Sequence, residues 1–370
     1  MALSTLFKHA LFCTLFIAMT SCETLFLTTV PSSNNATVFD AMWQNVNEKY
    51  SMFEFKNIDW QSIKTTYRER AIAAKTDEEL FEILSLTLKK LRDDHVNIFT
   101  KFNRSAADNF YFDSASFDYT LVRTKYLQGT EWNTRPFVNA LIRRDGKVYG
   151  YIRYTSFAQS LSEETINYVL RRFREANADG IILDIRDNGG GASLNGMRLA
   201  AHFVQASAFV MSEMRKFGPG RKDFDAPFTV TIEPSKQGER WTEKRIAVLT
   251  NRKCYSATSY FAAWMKAPEL HHVRLIGDHT GGGSGSPVDA QLPNGWTYRF
   301  STTKAFIPPG RVSMEAALRL APQRNHGFDK EFGYNFEEGV PVDIFVQLQL
   351  ANRNQDAVIE RAMEYINSGR

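Results

Sequence analysis

The sequence predicts an α/β protein whose main domain contains a mostly parallel sheet. Residues 180–185 and 246–250 are almost wholly apolar runs of strand length, as expected for strands that are buried on both faces. Between such runs lie amphipathic segments with helical spacing, such as residues 163–176. Strands that alternate with helices in this way are typical of a parallel sheet covered by helices.

The bulk composition is that of a globular protein. The chain has 370 residues, of which 43% are hydrophobic and 23% charged, with a formal net charge of +4. This length is sufficient for two domains, or for one large core with appendages. The Lys and Arg residues are scattered and form no basic stripe with interleaved aromatic residues, so nucleic acid is not expected as a partner.

The cysteines exclude two kinds of stabilising site. Cys13 and Cys22 lie near the N-terminus, which leaves Cys254 as the one thiol of the remaining sequence. A single thiol cannot form an internal disulfide, and a cysteine-ligated zinc site is excluded as well. We expect Cys254 to be a small buried residue and not a nucleophile, and we expect neither a metal nor another cofactor.

Residues 1–22 are predicted to be a targeting segment, a signal peptide. Its apolar stretch, residues 10–19, is too short for a comfortable transmembrane helix. Residues 19–22 resemble a bacterial lipoprotein signal in which Cys22 would be lipidated, and cleavage without lipidation is the alternative. Either outcome predicts an exported protein of the cell envelope, lipid-anchored, periplasmic or extracellular, with residues 23–36 as a tether.

Residues 37–100 are predicted to form a helical subdomain, and residues 101–370 the α/β core. Thr37 can cap the first helix, and a second helix follows it. A third helix is predicted after Thr76, which has the form of a capping box together with Glu79.

The other predicted elements belong to the α/β core. The predicted helices are residues 163–176, residues 194–204 and a segment that starts at residue 259. The predicted strands are residues 117–122, 137–142, 148–153, 180–185, 208–211, 228–232, 246–250 and 273–276, followed by a hairpin of residues 290–292 and 296–300.

Ser256 stands in the polar turn between the strand at residues 246–250 and the helix that follows. At a strand-to-helix turn, a serine hydroxyl lies at the edge of the sheet, where a substrate can reach it. The amides of the first helical turn then point at any negative charge that develops there. This segment alone leaves two interpretations open: Ser256 is a nucleophile, or it is only the N-cap of the helix.

Two glycine-rich turns follow predicted strands. Residues 189–191 are three glycines whose amides can form a phosphate cradle or an oxyanion hole, and a plain tight turn is the alternative. The usual nucleotide motifs, a Gly-Lys-Ser/Thr ending or Gly-x-Gly-x-x-Gly, are absent. The second turn, residues 281–285, follows His279, which we expect to be an exposed loop residue and not a catalytic base.

Six segments resemble, in the same order, the motifs of the tail-specific or C-terminal processing serine peptidases (family S41). They are Asp93-Asp94-His95, Gly150-Tyr151-Ile152, Leu183-Asp184-Ile185-Arg186-Asp187-Asn188-Gly189-Gly190-Gly191, Ser256-Ala257-Thr258-Ser259, Gly277-Asp278-His279-Thr280-Gly281-Gly282 and Gly339-Val340-Pro341-Val342-Asp343. The resemblance implies a peptidase on a crotonase/ClpP-like core, a mostly parallel sheet with the helical subdomain before it.

Departures from that family point to its tricorn-like branch. In the tail-specific enzymes the glycine loop carries a lysine that serves as the base, but Gly283 or Ser284 stands in that place. The tricorn-like branch instead uses a histidine from the early motif and a glutamate from the late one. His95 and Glu337 match these places, with Glu338 as the alternative to Glu337.

Two further departures concern the segment around the early motif. Asp94 stands where the tricorn core has a serine, so the sequence does not supply that member of the site. Residues 96–149 are too few to hold a PDZ domain together with its connecting strands, so no PDZ domain is expected.

The resemblance also implies the chemistry. Ser256 would attack the carbonyl of a peptide or protein substrate and form an acyl-enzyme, with His95 as the general base. Glu337 would orient His95 and stabilise its charged form, and the amides of Gly190 and Ala257 would bind the oxyanion. It implies no particular cleavage preference or oligomeric state.

Two other functions stay open on the sequence alone. One is a non-catalytic peptide- or ligand-binding protein on the same fold, which the missing lysine and Ser259 in place of the family's glutamate favour. The other is a crotonase-type acyl-thioester enzyme, which shares the core and an amide oxyanion hole. That class does not need a nucleophilic serine turn.

Overall fold

The computed structural model describes residues 34–105, 117–320, 327–347 and 354–370. The predicted targeting segment, with Cys22, lies outside these residues, as does most of the predicted tether. Within the described ranges, no helix is both long and apolar enough to cross a bilayer.

The elements follow the predicted alternation of helices and strands. The α-helices are α1 (Asn35–Lys49), α2 (Trp60–Ala73), α3 (Asp77–Lys89), α4 (Tyr119–Leu121), α5 (Glu163–Glu175), α6 (Ser193–Ala200), α7 (Ala257–Trp264), α8 (Met314–Leu320) and α9 (Ala357–Ser368). The strands are β1 (Asn97–Phe99), β2 (Trp132–Thr134), β3 (Phe137–Arg144), β4 (Lys147–Arg153), β5 (Gly180–Asp184), β6 (Ala208–Arg215), β7 (Phe228–Ile232), β8 (Ile246–Thr250), β9 (Val273–Gly277), β10 (Pro287–Gln291), β11 (Thr297–Ser301), β12 (Thr303–Ile307), β13 (Phe328–Asp329), β14 (Gly333–Asn335) and β15 (Ile344–Phe345).

A seven-stranded sheet forms the centre of the α/β core. Its strand order is β15-β9-β8-β5-β4-β3-β2, with parallel pairing from β15 to β4 and antiparallel pairing from β4 to β2. Every residue of β5 and β8 is buried, because alternate side chains belong to the apolar clusters on the two faces of the sheet. The predicted α/β class with a mostly parallel sheet is therefore confirmed.

The N-terminal helices have an apolar core of their own, which a distant hairpin completes. Side chains of α1, α2 and α3 pack together with Trp296, Tyr298 and Phe300 of the β10–β11 hairpin. In addition, β1 pairs with β11, and these strands form a three-stranded sheet with β10. The hairpin thus attaches the helical unit to the rest of the chain.

Local capping sets the starts of these helices. The cap of α1 is Asn34, whose Oδ1 accepts from the amide of Thr37 at 2.9 Å, so the predicted cap at Thr37 was wrong by one turn. Thr76 does cap α3, with Oγ1 3.2 Å from the amide of Glu79. The Glu79 carboxylate reaches back to the amide of Lys75, at 2.7 Å.

The segment predicted as a strand at residues 117–122 is helical. Oδ1 of Asp118 accepts from the amides of Thr120 and Leu121, which starts α4, and a π-helical stretch, Val122–Leu127, continues it. An aspartate that caps the following amides favours a helical start over an extended one. The alternating pattern at this place was therefore misleading.

A buried ion network joins β5 to the C-terminal helix. Arg186 is fully buried, with Nε 2.9 Å from Oδ1 of Asp184 and Nη1 2.8 Å from Oδ2 of Asp356, the cap of α9. Asp356 lies 170 positions from Arg186 in the sequence. Two buried carboxylates thus share one guanidinium.

We predict that Arg186→Met lowers the free energy of unfolding by about 3–5 kcal/mol, because it leaves the buried carboxylate of Asp356 without this cation and that of Asp184 with only Arg153, at 3.9 Å. The matched control is Lys147→Met, which removes a half-exposed pair with Asp179 at 3.0 Å. That change is expected to cost less than about 1 kcal/mol. Urea unfolding measures both, and equal losses would contradict the role given to Arg186.

Candidate active site

Ser256 occupies the turn between β8 and α7 with a strained backbone. Its φ is 56° and its ψ is −126°, a region that residues other than glycine rarely adopt. It stands at the N-cap position of α7, but its side chain makes no capping hydrogen bond. The hydroxyl is instead free to face the N-terminal part of the chain, so capping does not explain this serine.

His95 meets that hydroxyl. Nε2 of His95 lies 2.8 Å from Oγ of Ser256, although the two residues are 161 positions apart. His95 lies between α3 and β1, where Oδ1 of Asp93 accepts from its amide at 2.9 Å. Its ring packs against Tyr255, with 4.8 Å between the ring centroids. The predicted nucleophile and base are therefore within hydrogen-bond distance of each other.

The surroundings of His95 favour the neutral imidazole. Burial lowers the pKa of His95, and this effect outweighs the nearby carboxylate of Asp93, which acts in the opposite direction. Nδ1 has no hydrogen-bond partner among the described residues, and Oδ1 of Asp93 lies 3.7 Å from it. With the proton on Nδ1, Nε2 is free to accept the serine proton.

Glu337, the predicted orienting residue, is buried near the site but contacts other groups. Its Oε1 lies 2.7 Å from Nζ of Lys56, and its Oε2 accepts from the amide of Ser284 at 2.8 Å. Lys56 also lies 3.8 Å from Oδ2 of Asp93. The structure thus brings Glu337 to the cluster around His95 but does not place it against the imidazole, because the side chain of Lys56 takes its carboxylate.

The two carboxylates differ in their affinity for a proton. Burial raises the pKa of Glu337, and the charge of Asp93 adds to this effect against the opposing Lys56. Burial acts to raise the pKa of Asp93 as well, but Lys56 and His95 outweigh it and the pKa is lowered. When two buried carboxylates share one cation, one of them holds its charge at the other's expense.

Glu338, the alternative to Glu337, is also buried. Its carbonyl accepts from Nη1 of Arg252 at 3.0 Å. Its charge acts on Tyr334, whose pKa is raised mainly by burial. These contacts do not connect Glu338 with His95.

The loop in which the tail-specific family carries a lysine has no room for one at Gly283. A Cβ at Gly283, whose φ is 82°, would lie 2.6 Å from Cζ of Tyr255. The side chain of Ser284 is directed to Glu337, at 3.2 Å from Oε2. The neighbouring carbonyl of Gly282 accepts from the amide of Ser256 at 2.9 Å. This loop therefore supports the serine turn instead of supplying a base.

The glycine turn after β5 presses against the serine turn. A Cβ at Gly190, whose φ is 103°, would lie 3.0 Å from Cβ of Ser256 and 2.7 Å from the carbonyl oxygen of Tyr255. The Gly190 amide donates to Oδ1 of Asn188 at 3.0 Å, so this predicted oxyanion donor is engaged inside its own loop. The amide of Ala257 has no acceptor in the described part of the chain.

Two other candidates are buried away from this chemistry. His279 is 4% exposed, contrary to the prediction of an exposed loop residue, and burial lowers its pKa to about 4. Its Nδ1 accepts from the amide of Val342 at 3.1 Å. Cys254 is fully buried, as predicted, and burial raises the pKa of its thiol to about 12, which leaves no reactive thiolate at neutral pH.

Sequence reasoning missed Lys56. It lies in the turn between α1 and α2 and resembles a surface lysine in the sequence. Its side chain is nevertheless 1% exposed, because the turn packs against the segment of Asp93 and Glu337. No local signal identifies it, since its partners are 37 and 281 positions away.

Two family models match the sequence. The model described as Peptidase family S41 matches residues 148–323, and the one described as Tricorn protease C1 domain matches residues 31–89. The first range contains Ser256 and Gly190. His95 and Glu337 fall outside both ranges, so their assignment depends on the geometry described above.

Two individual relatives are similar to this chain, and both are named as proteases. A carboxyl-terminal-processing protease from Synechocystis sp. is 29% identical over 139 residues, which are 38% of this chain and 29% of the relative. A tricorn protease from Thermoplasma volcanium is 26% identical over 248 residues, 65% of this chain and 19% of the relative. The chain spans less than a third of the length of either.

A solved structure covers nearly the whole chain. The crystal structure of a candidate peptidase from Parabacteroides merdae superposes with a TM-score of 0.76 at 28% identity. The alignment covers 92% of this chain and 98% of that one. The similarity therefore includes the N-terminal helices as well as the α/β core.

The strain at Ser256 predicts that Ser256→Gly is more stable than Ser256→Ala. Glycine adopts the observed φ and ψ without strain, whereas alanine retains the strain, so we expect a difference of about 1 kcal/mol in the free energy of unfolding. Ser212, inside β6, is the control position, where glycine should be the less stable of the two replacements. The same order at both positions would contradict the strain.

Proposed function

We propose that the chain is a serine peptidase of family S41, with Ser256 as its nucleophile and His95 as its general base. The observation that carries the proposal is the 2.8 Å contact between Oγ of Ser256 and Nε2 of His95. Support comes from the positive φ of Ser256, since strained backbone persists mostly where a side chain must be aimed.

The reaction has two halves. Oγ of Ser256 bonds to the carbonyl carbon of the substrate while its proton passes to Nε2 of His95. The carbon–nitrogen bond then breaks, and the same proton goes to the leaving amine. In the second half, water attacks the acyl-enzyme with His95 again as the base. The carboxylic acid product is released, and the serine hydroxyl is regenerated.

For the third member of the catalytic site we propose a carboxylate behind His95. Asp93 is the carboxylate that faces Nδ1, at 3.7 Å, and it would stabilise the imidazolium that forms when His95 takes the proton. Glu337 acts indirectly, through its ion pair with Lys56. The Ser-His-Glu arrangement thus applies with the glutamate in an indirect position, and Glu338 is the less suited alternative.

The oxyanion would be bound by amides at the base of α7. The amide of Ala257 is the first donor, because no protein group accepts from it in the described ranges. The amide of Gly190 becomes the second donor once the carbonyl oxygen of the substrate replaces Oδ1 of Asn188 as its acceptor. One such donor contributes on the order of 3 kcal/mol to the transition state.

The substrate class follows from the reaction and the family: a peptide or a protein. We further propose that the chain is exported and attached to a membrane through lipidated Cys22, a proposal supported by the pattern of residues 19–22 alone. Intact-mass spectrometry of protein purified from a bacterial membrane fraction would show the lipid on Cys22. A mature chain without added lipid mass would overturn the anchor.

A second candidate function is favoured by one observation. The Gly190 amide already donates to Asn188, so the oxyanion site is half closed in this structure. If that bond persisted with substrate present, the chain would bind peptides without cleaving them. The two functions differ in whether Ser256 reacts with an acylating or phosphonylating reagent.

A fluorophosphonate probe therefore tests the proposed function directly. We expect the wild type to gain one phosphonyl group, Ser256→Ala to gain none, and His95→Gln to react slower by a factor on the order of 10²–10⁴. Ser259→Ala is the control in the same turn, because the Ser259 hydroxyl is bonded to Thr280 and not to His95. It should react at a rate close to wild type. A folded wild type that does not react would sink the peptidase proposal.

The pH dependence follows from the lowered pKa of His95. A general base must be neutral, and a histidine with a lowered pKa stays neutral to a lower pH than an ordinary one. We therefore expect the labelling rate to fall on the acid side with a midpoint below the usual value of about 6.5. A midpoint at or above that value would show that burial does not dominate at His95.

A further inference from the structure

A buried lysine lies behind the proposed catalytic pair. Lys56 is 1% exposed, and its Nζ lies 2.7 Å from Oε1 of Glu337 and 3.8 Å from Oδ2 of Asp93. It also donates to the carbonyl of Arg92 at 2.8 Å. The ring of Tyr50 lies against it, with 5.8 Å between Nζ and the ring centroid. The ammonium therefore lies between two buried carboxylates, within ion-pair distance of both.

We propose that Lys56 is a positioning residue: its ammonium joins Asp93 to Glu337 and so holds the Asp93 carboxylate beside Nδ1 of His95. The inference rests on the proposed function, because it concerns the base of that reaction. Lys56 acts through Asp93 and makes no contact with Ser256, so it is not itself a base.

The charges of the three side chains support this role of Lys56. Asp93 and Glu337 are both fully buried at their side chains, and two such carboxylates do not stay ionised together without a cation between them. Lys56 is the cation in contact with both. Without Lys56, Glu337, whose pKa is already raised, would bind a proton first, and Asp93 would keep its charge but lose the ammonium beside its Oδ2.

The hydrogen bonds of the Asp93 carboxylate support this role as well. Oδ1 of Asp93 accepts from the amide of His95, and Oδ2 accepts from the hydroxyl of Tyr50 at 3.2 Å. These two bonds and the ammonium of Lys56, 3.8 Å from Oδ2, hold the carboxylate in the orientation that faces His95.

Charged groups face the imidazole from three directions. Asp93 precedes it in the chain, Lys56 comes from the turn after α1, and Arg299 comes from β11. Arg299 is paired with Asp289, at 2.7 Å. Removal of the positive charge of Lys56 should raise the pKa of His95, and removal of the negative charge of Glu337 should lower it.

The test uses the rate at which a fluorophosphonate modifies Ser256, followed by intact mass over a range of pH. In this reaction Oγ bonds to phosphorus, the phosphorus–fluorine bond breaks, fluoride leaves, and the serine proton passes to His95. We compare Glu337→Gln and Lys56→Met with the double variant Lys56→Met/Glu337→Gln. The double variant leaves no Glu337 carboxylate without its ammonium, so it serves as the test if Lys56→Met alone does not fold. Lys56→Arg is the conservative variant.

We expect the acid midpoint to move in opposite directions. Glu337→Gln keeps Lys56 and should shift the midpoint to lower pH, while the double variant leaves Asp93 without its cation and should shift it to higher pH. The rate at optimal pH should fall about tenfold to a hundredfold in the double variant. Lys56→Arg should recover part of that loss, because a guanidinium can also bind two carboxylates.

The control is Lys216→Met, which removes another buried ammonium. Lys216 is bound by the backbone carbonyls of Glu48, Gly218 and Gly220, away from His95. It should change neither the rate nor the midpoint. If the double variant keeps the wild-type rate and midpoint, the role proposed for Lys56 is wrong, while the peptidase proposal is unaffected. A wild type that does not react would overturn the peptidase proposal and this inference with it.

Discussion

The contact between the hydroxyl of Ser256 and the imidazole of His95 joins the two parts of the structure. The serine comes from the seven-stranded sheet and the histidine from the end of the helical unit, so neither part contains the pair alone. The strain in the backbone of Ser256 aims its hydroxyl across this boundary. The β10–β11 hairpin packs on the helices and pairs with β1, two residues after His95, and thus fixes the distance.

Behind that contact, charge replaces the direct histidine–glutamate contact implied by the family resemblance. Glu337, Lys56, Asp93 and His95 form a row in which negative and positive groups alternate once the imidazole is protonated. Such a row is stable in a buried site only when each member has its neighbour. At Gly283 a side chain would meet the ring of Tyr255, and the glycine found there supplies no lysine base.

Local patterns were sufficient for most of the fold but gave only candidates for the site. Each of the buried strands β5 and β8 is a contiguous apolar run, so its residues identified it. The segment of Ser256 left a nucleophile and a helix cap open, and the roles proposed for Ser256, His95 and Glu337 depended on a family resemblance. Lys56 gave no signal, because its role is set by residues that only folding brings near. Asp118 shows the converse case, in which one capping side chain overrides an alternating pattern.

The central claim is that Ser256 is a nucleophile served by His95, and a crystal structure of the wild-type protein after reaction with a fluorophosphonate tests it most directly. The account predicts phosphorus bonded to Oγ of Ser256, with Nε2 of His95 beside that oxygen. A phosphoryl oxygen should accept from the amide of Ala257. An adduct on another residue, or one on Ser256 with His95 turned away, would contradict it.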